Sequence, residues 1–89
     1  MRLTREQRFD MLHALGDPVK DKRIKNPETI LKRAYRNKFV EYHHDESWDM
    51  LIMDRFADLR ISKNFDGSTI YFYFVTLKGV GQLMKEGWL

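Results

Sequence analysis

The sequence contains no cysteine, which excludes disulfide bonds and thiolate metal sites. Its longest apolar run extends only from Ile70 to Val75, far short of the length needed to cross a membrane. Charged residues interrupt the first ten positions, so no signal peptide is expected. Together these absences predict a soluble, cytoplasmic protein with no membrane attachment.

Motifs of common enzymes are also missing. The chain has no phosphate-binding loop, no Gly-x-Ser-x-Gly and no dinucleotide fingerprint. Its 89 residues make one small domain, residues 1–89, which leaves little room for a deep pocket. We therefore expect a protein that is not an enzyme and needs no cofactor.

The charge is distributed unevenly along the chain. Residues 1–44 contain eleven Lys or Arg against six Asp or Glu, whereas residues 45–89 contain five against seven. The densest basic segment extends from Lys20 to Lys38 and has only two acidic residues. We expect one part of the molecule to carry a positive field.

Two helices are predicted in the first half. Thr4-x-x-Gln7 fits a capping box, and Gly16 followed by Pro18 ends that first helix. Asn26-Pro27 begins the second helix, with Asn26 as its N-cap. The end of the second helix is open, because residues 39–42 either extend it or form a short strand.

A third helix is predicted to begin at Asp45 or Ser47 and to continue to Leu59. Its core stripe is Trp48, Leu51, Ile52, Phe56 and Leu59. A second apolar stripe follows at helical spacing: Met50, Met53 and Ala57. A helix that is apolar on two sides is buried on both or contacts a partner, and the two readings have equal support.

The last thirty residues predict a hairpin and a closing helix. Asp66-Gly67 lies between two β-rich runs, residues 59–64 and 69–75. Thr76 then caps a short C-terminal helix that Gly87 ends. The expected fold is α+β and winged-helix-like: three helices, a β-hairpin wing, a short third strand if residues 39–42 form one, and a C-terminal helix.

Two blocks carry a family resemblance. The segment from Tyr35 to Val40, followed by Ser47-Trp48-Asp49, resembles a group of small uncharacterised proteins from bacteriophages and prophages. Residues 71–79 resemble the aromatic, Val-Thr-x-x-Gly entry to the closing helix in that group and in many winged-helix regulators. The resemblance implies a winged-helix fold and a bacterial host cell. Ala57–Ile61 departs from the Gly-Leu-Ile-like step of those regulators, so the turn into the hairpin is expected to differ.

Nucleic acid is the first predicted partner, because Lys and Arg displace counterions from phosphate. The basic segment from Lys20 to Lys38, including a basic helix face, and the wing would supply the cations, and outward-facing Tyr71 and Tyr73 would stack on bases. The alternatives are a solvated helix face and ordinary cross-strand aromatic packing, of which the packing is favoured for the tyrosines. The candidate nucleic-acid-binding residues are Lys32, Arg33, Arg36, Lys38, Arg60 and Lys63.

A protein partner is the alternative hypothesis. The third helix begins with Asp45, Glu46 and Asp49, which would repel phosphate where a winged helix usually reads DNA. Met50, Met53 and Ala57 would then form an interface. The candidates are a homodimer, a phage accessory protein, and an inhibitor of a host protein such as a defence complex.

A metal site is not expected. His43-His44-Asp45-Glu46 offers adjacent ligands, but no spaced partner residue completes a set of three or four. A polar loop that caps the third helix is the favoured reading. His13 has the character of a partly buried structural histidine.

Overall fold

The structure is a computed structural model that describes residues 2–18, 20, 22–34 and 36–89. Asp21 and Tyr35, which belong to the predicted basic segment and to the resemblance, lie outside the described residues. The described residues form an α+β domain of four α-helices and a three-stranded antiparallel sheet. Its elements are α1 (Arg5–Ala14), α2 (Pro27–Arg33), β1 (Phe39–Glu41), a 3-10 turn (Glu46–Trp48), α3 (Asp49–Met53), β2 (Ala57–Lys63), β3 (Thr69–Val75) and α4 (Leu77–Lys85).

The predicted helix starts are confirmed. Thr4 Oγ1 accepts a hydrogen bond from Gln7 N at 3.1 Å, and Gln7 Oε1 accepts from Thr4 N at 2.8 Å, which completes a capping box. Asn26 Oδ1 accepts from Glu28 N at 2.8 Å at the start of α2. These caps form because each side chain reaches an amide only two or three residues away.

The second helix is short, and a strand follows it. Helix α2 ends at Arg33, since Ala34 has a ψ of 131°. The side-chain amide of Asn37 then donates to Val75 O and accepts from Val75 N, both at 2.8 Å. This pair of bonds aligns the chain with β3, so residues 39–41 become strand β1 and do not extend the helix.

The prediction of a long third helix is wrong. Helix α3 ends at Met53, and Arg55 has a φ of 63°. Phe56 and Leu59 therefore lie outside the helix, and Ala57 is the first residue of β2, paired with Val75. The physical reason is a long-range anchor: Thr76 Oγ1 donates to Arg55 O at 2.6 Å, and Thr76 N donates to Phe56 O at 3.0 Å.

The sheet has the strand order β1-β3-β2, so β3 is central. Phe39 and Leu59 both pair with Tyr73, and alternation along each strand places these residues on one face. That face covers the core. Val40 and Arg60 both pair with Phe72 on the opposite face, which is called the outer sheet face below.

The core lies between the sheet and the helices. The rings of Trp48 and Tyr73 stack in it, with centroids 5.2 Å apart, and both residues are fully buried. Gly79 permits α4 to pack there, because a Cβ at this position would collide with the backbone carbonyl oxygen of Phe56. The core residues include Leu3, Met11, Ala14, Leu15, Ile30, Leu51, Phe56, Ala57, Val75, Val80, Leu83 and Leu89.

Candidate nucleic-acid interface

Helix α2 presents two of the predicted cations. The helix buries Ile30, whereas Lys32 and Arg33 in its last turn are exposed. The cations lie at the end of the helix where the macrodipole is negative, which favours them locally. Lys32 and Arg33 are therefore available to an anion.

A groove of about 640 Å³ lies along α2 and the residues just before it. Arg23, Lys25 and Arg33 bring three positive charges to its lining, and Thr29 adds a hydroxyl. No carboxylate lines it among the described residues. Lys25 and Arg33 are exposed, and cations grouped along one groove create a field that attracts phosphate. The remaining lining residues are Ile24 and Asn26.

Arg36 has a structural role that the sequence did not predict. It lies beyond the end of α2, so it does not share a helix face with Lys32 and Arg33. Its guanidinium donates to His13 O from Nε at 3.3 Å and from Nη2 at 3.0 Å. Arg36 thereby satisfies a carbonyl in the last turn of α1.

The ring of His13 completes this cluster. Arg36 Nη2 lies 3.2 Å from His13 Nε2, and a guanidinium only donates, so Nε2 accepts. On the other side of the ring, Nδ1 lies 3.5 Å from Asp17 Oδ2. His13 is half-buried and stacks on Phe9, as expected for a structural histidine.

A second cavity, of about 280 Å³, brings Arg36 together with Lys38. It lies along β1, where Phe39 and Val40 complete the lining with His13. Lys38 is thus placed between the end of α1 and the outer sheet face.

The outer sheet face combines aromatic rings with cations. Phe72 and Phe74 are half-buried on this face of β3. The Nζ atom of Lys38 lies 5.5 Å from the centroid of Phe72, and Cζ of Arg60 lies 6.0 Å from the centroid of Phe74. These distances are at the outer limit of cation–π contacts, so each cation is held only weakly.

Of the two alternatives for Tyr71 and Tyr73, the less favoured one, in which they face outward and stack on bases, is wrong. Tyr73 is fully buried, and its hydroxyl accepts a hydrogen bond from Asp45 N at 3.0 Å. Burial raises the pKa of Tyr73 above its usual range. Tyr71 packs against the core from the same face. The aromatic residues on the outer sheet face are the phenylalanines.

Lys63 lies apart from the other candidates. It pairs with Thr69 at the far end of the hairpin, and alternation places it on the opposite face from Arg60. Asn64 and Phe65 line a small cavity with it. The six predicted cations therefore do not form one surface: they divide among α2, the β1 edge, the outer sheet face and the hairpin tip.

The predicted apolar stripe on α3 is only partly present. Met50 and Met53 are 51% and 74% exposed. Ala57 is 4% exposed because it lies in β2 and packs in the core, so it cannot belong to an interface with the methionines. Two adjacent exposed methionines remain as a candidate contact.

The histidines of the loop before α3 pair with single carboxylates. His44 Nε2 lies 2.8 Å from Asp49 Oδ1, and His43 Nε2 lies 3.4 Å from Glu41 Oε2. Asp45 Oδ1 accepts from Ser47 N and caps the 3-10 turn. Across the part of the chain that the structure describes, no three potential ligands converge.

A buried carboxyl group lies beneath this loop. Ser47 Oγ is 2.9 Å from Asp10 Oδ2 and 2.8 Å from Asp45 Oδ1. Burial raises the pKa of Asp10, and the negative charge of Asp45 adds to that effect, whereas the hydrogen bond from Ser47 opposes it. One hydroxyl proton cannot serve both carboxylates, so protonation of Asp10 relieves the conflict.

Arg23 and Lys25 belong to the predicted basic segment but not to the six candidate binding residues, and Phe72 and Phe74 belong to neither. For the two phenylalanines the sequence holds a usable signal. Polar residues alternate along β2, and a turn centred on Asp66-Gly67 pairs Arg60 with Phe72. The grouping of Arg23 and Lys25 with Arg33 has no such signal, since it depends on the path of the chain before α2.

No family model matches the chain, and neither a curated protein nor a solved structure matches it. Among the helices of the described residues, none is both long and apolar enough to cross a membrane.

Proposed function

We propose that this chain is a small winged-helix-like protein that binds nucleic acid mainly through phosphate contacts. The observation that carries the proposal is the groove beside α2, which the exposed Lys25 and Arg33 line together. Phosphate is the anion that such a cluster suits, because each Lys or Arg releases counterions from a nucleic acid.

The winged-helix part of the proposal is supported by the hairpin that precedes α4 and by the strand order β1-β3-β2. Helix α3 does not fit the role of a recognition helix. It has five residues, it begins with acidic side chains, and β1 separates it from α2. Binding through phosphate, away from α3, is therefore part of the proposal, and so is an origin in a bacteriophage or prophage.

A fluorescence anisotropy titration with labelled duplex DNA at about 50 and 200 mM salt tests the proposal. The informative variant is Lys25→Gln with Arg33→Gln, both exposed side chains in the groove. The matched control is Arg5→Gln with Lys85→Gln, which removes the same charge from exposed positions on α1 and α4.

Log affinity falls as log salt rises, and we expect the groove variant to make this slope shallower by about 2, since it removes two phosphate contacts. The control should leave the slope nearly unchanged. Absence of binding by the native chain at the lower salt concentration, both to this duplex and to a single-stranded oligonucleotide, would contradict the proposal. Equal losses in the two variants would show that only net charge matters and that the groove is not the site.

A protein-interaction module is the second candidate, and the exposure of Met50 and Met53 favours it. Methionine side chains adapt to irregular apolar surfaces, and two of them on a five-residue helix are unusual on a solvated surface. The partner would be a second copy, a phage protein or a host protein.

Sedimentation velocity over a range of concentrations tests the homodimer. Self-association that Met50→Gln with Met53→Gln abolishes would support it. The control is Ile61→Gln, an exposed apolar residue on β2. A monomer at all concentrations would remove the homodimer from consideration.

A further inference from the structure

The outer sheet face has no helix packed on it in the described structure. All four helices bury residues in the single core on the Tyr73 side of the sheet. The apolar side chains of the outer face neither belong to that core nor pack against it. They are Val40, Ile70, Phe72 and Phe74.

The spacing of the two rings suits a polymer of bases. Phe72 and Phe74 lie two residues apart on the central strand, which places their Cβ atoms about 7 Å apart on the same face. Two rings at that separation can each take one base of an extended strand. Every base has a π-face, so such contacts do not require a particular sequence.

Cations border the rings on both sides of β3. Lys38 approaches from the β1 side and Arg60 from the β2 side. Neither side chain makes a hydrogen bond or an ion pair with any described residue. Both are thus available to phosphates, and Asp58 is the one carboxylate on this face of the described strands.

Charge favours a nucleic acid over a second copy of the chain. A twofold contact through this face would bring each pair of cations toward the same pair on the other copy. One Asp58 from each copy would not neutralise them. A duplex also fits poorly, because its bases are stacked on one another and are not accessible to the rings.

We propose that the outer sheet face binds single-stranded nucleic acid, with bases stacked on Phe72 and Phe74 and phosphates held by Lys38 and Arg60. This proposal depends on the proposed function and extends it from phosphate contact to a preference for single strands. The chemistry is common to DNA and RNA.

The test compares fluorescein-labelled oligo(dT), oligo(rU) and a duplex, each of about 15 nucleotides or base pairs, by fluorescence anisotropy. The ring variant is Phe72→Ile with Phe74→Ile, which keeps apolar, strand-forming residues. The matched control is Phe65→Ile, a fully exposed aromatic residue at the hairpin tip. Circular dichroism melting establishes that each variant is folded.

We expect the ring variant to bind oligo(dT) at least about tenfold more weakly, and its duplex affinity to change far less. The affinity for oligo(rU) should equal that for oligo(dT) if the protein does not contact the 2′-hydroxyl. A difference between the two affinities identifies whether DNA or RNA is preferred. The Phe65 control should bind as the native chain does.

Failure of this proposal is distinguishable from failure of the proposed function. One outcome is that the native chain binds oligo(dT), oligo(rU) and the duplex while the ring variant binds each of them equally well. In that case base stacking on the outer sheet face is wrong, and the proposal of phosphate binding stands. If the native chain binds none of them, both are wrong. If the native chain and the Phe65 control are dimers and the ring variant is a monomer, the outer sheet face is a contact with a second copy. That result would overturn the proposal that bases stack on this face.

Arg60→Gln gives an independent measure if the ring variant does not fold. Arg60 is exposed on β2, so its replacement should leave the melting temperature nearly unchanged. We expect it to weaken oligo(dT) binding and to lower the salt slope by about 0.7. Lys85→Gln is its control, and equal effects in the two would contradict the assignment of Arg60.

Discussion

The Nζ atom of Lys38 lies 5.5 Å from the centroid of the Phe72 ring on the outer sheet face. Lys38 is among the nucleic-acid-binding residues predicted from the sequence, whereas Phe72 is not. The contact exists because Lys38 precedes β1, which pairs with β3 and brings Val40 opposite Phe72. Pairing of β1 with β3 therefore places a basic residue of the first half of the chain on a surface made by the second half.

Gly79→Ala should destabilise the fold by about 2–3 kcal/mol, because the new methyl group would overlap the carbonyl oxygen of Phe56. The matched control is Gly81→Ala in the same helix, where a Cβ meets nothing within 4 Å. There the usual gain of alanine in a helix, about 0.5–1 kcal/mol, is expected. Urea denaturation measures both, and equal effects would contradict this account of the Thr-x-x-Gly motif.

Asn37→Ala should cost about 2 kcal/mol, since it removes two part-buried hydrogen bonds to the backbone of Val75. The control, Asn64→Ala, removes one bond to Ser68 Oγ in the exposed hairpin turn and should cost well under half as much. Chemical denaturation measures the free energy of unfolding of each variant. A cost for Asn37→Ala no larger than that of the control would show that the chain before β1 is held by other contacts.

Asp10→Asn should stabilise the protein near neutral pH. Burial raises the pKa of Asp10, so the folded state holds its proton more tightly than the unfolded state does. The stability from protonated Asp10 is present below the usual carboxyl pKa and is lost as the pH rises through the folded-state value. The stability difference in favour of the asparagine variant should therefore grow as the pH rises from the usual carboxyl pKa through the folded-state value.

Urea titrations at several pH values measure that difference. Asp58→Asn, an exposed carboxylate on β2, controls for the loss of one negative charge. If Asp10→Asn is less stable than the native chain by the same amount at every pH, the claim that Asp10 and Asp45 compete for the Ser47 hydroxyl proton is wrong.

The sequence predicts those parts of the fold that local contacts determine. Thr4, Asn26 and Thr76 cap helices because each cap needs only residues within three positions. The end of α3 was mispredicted because Arg55 O is held by Thr76 Oγ1, twenty-one residues further along. No local pattern announces that contact, and the apolar spacing through Leu59 continued to favour a helix.

The candidate site is likewise predictable from the sequence only in part. Charge density along the chain predicts that residues 20–38 are basic, but not that Lys25 and Arg33 share a groove. Strand alternation predicts two faces for β3, but the choice of face requires the register to β2. Once Arg60 is paired with Phe72, the ring must share the outer face with the cation.

The most direct test of nucleic-acid binding is a titration of the 15N-labelled protein with unlabelled oligo(dT), followed by amide chemical shifts at low salt. We predict the largest changes at Arg60, Phe72 and Phe74 on the outer sheet face and at Lys25 and Arg33 beside α2. Changes confined to α3, or no changes at all, would contradict the account.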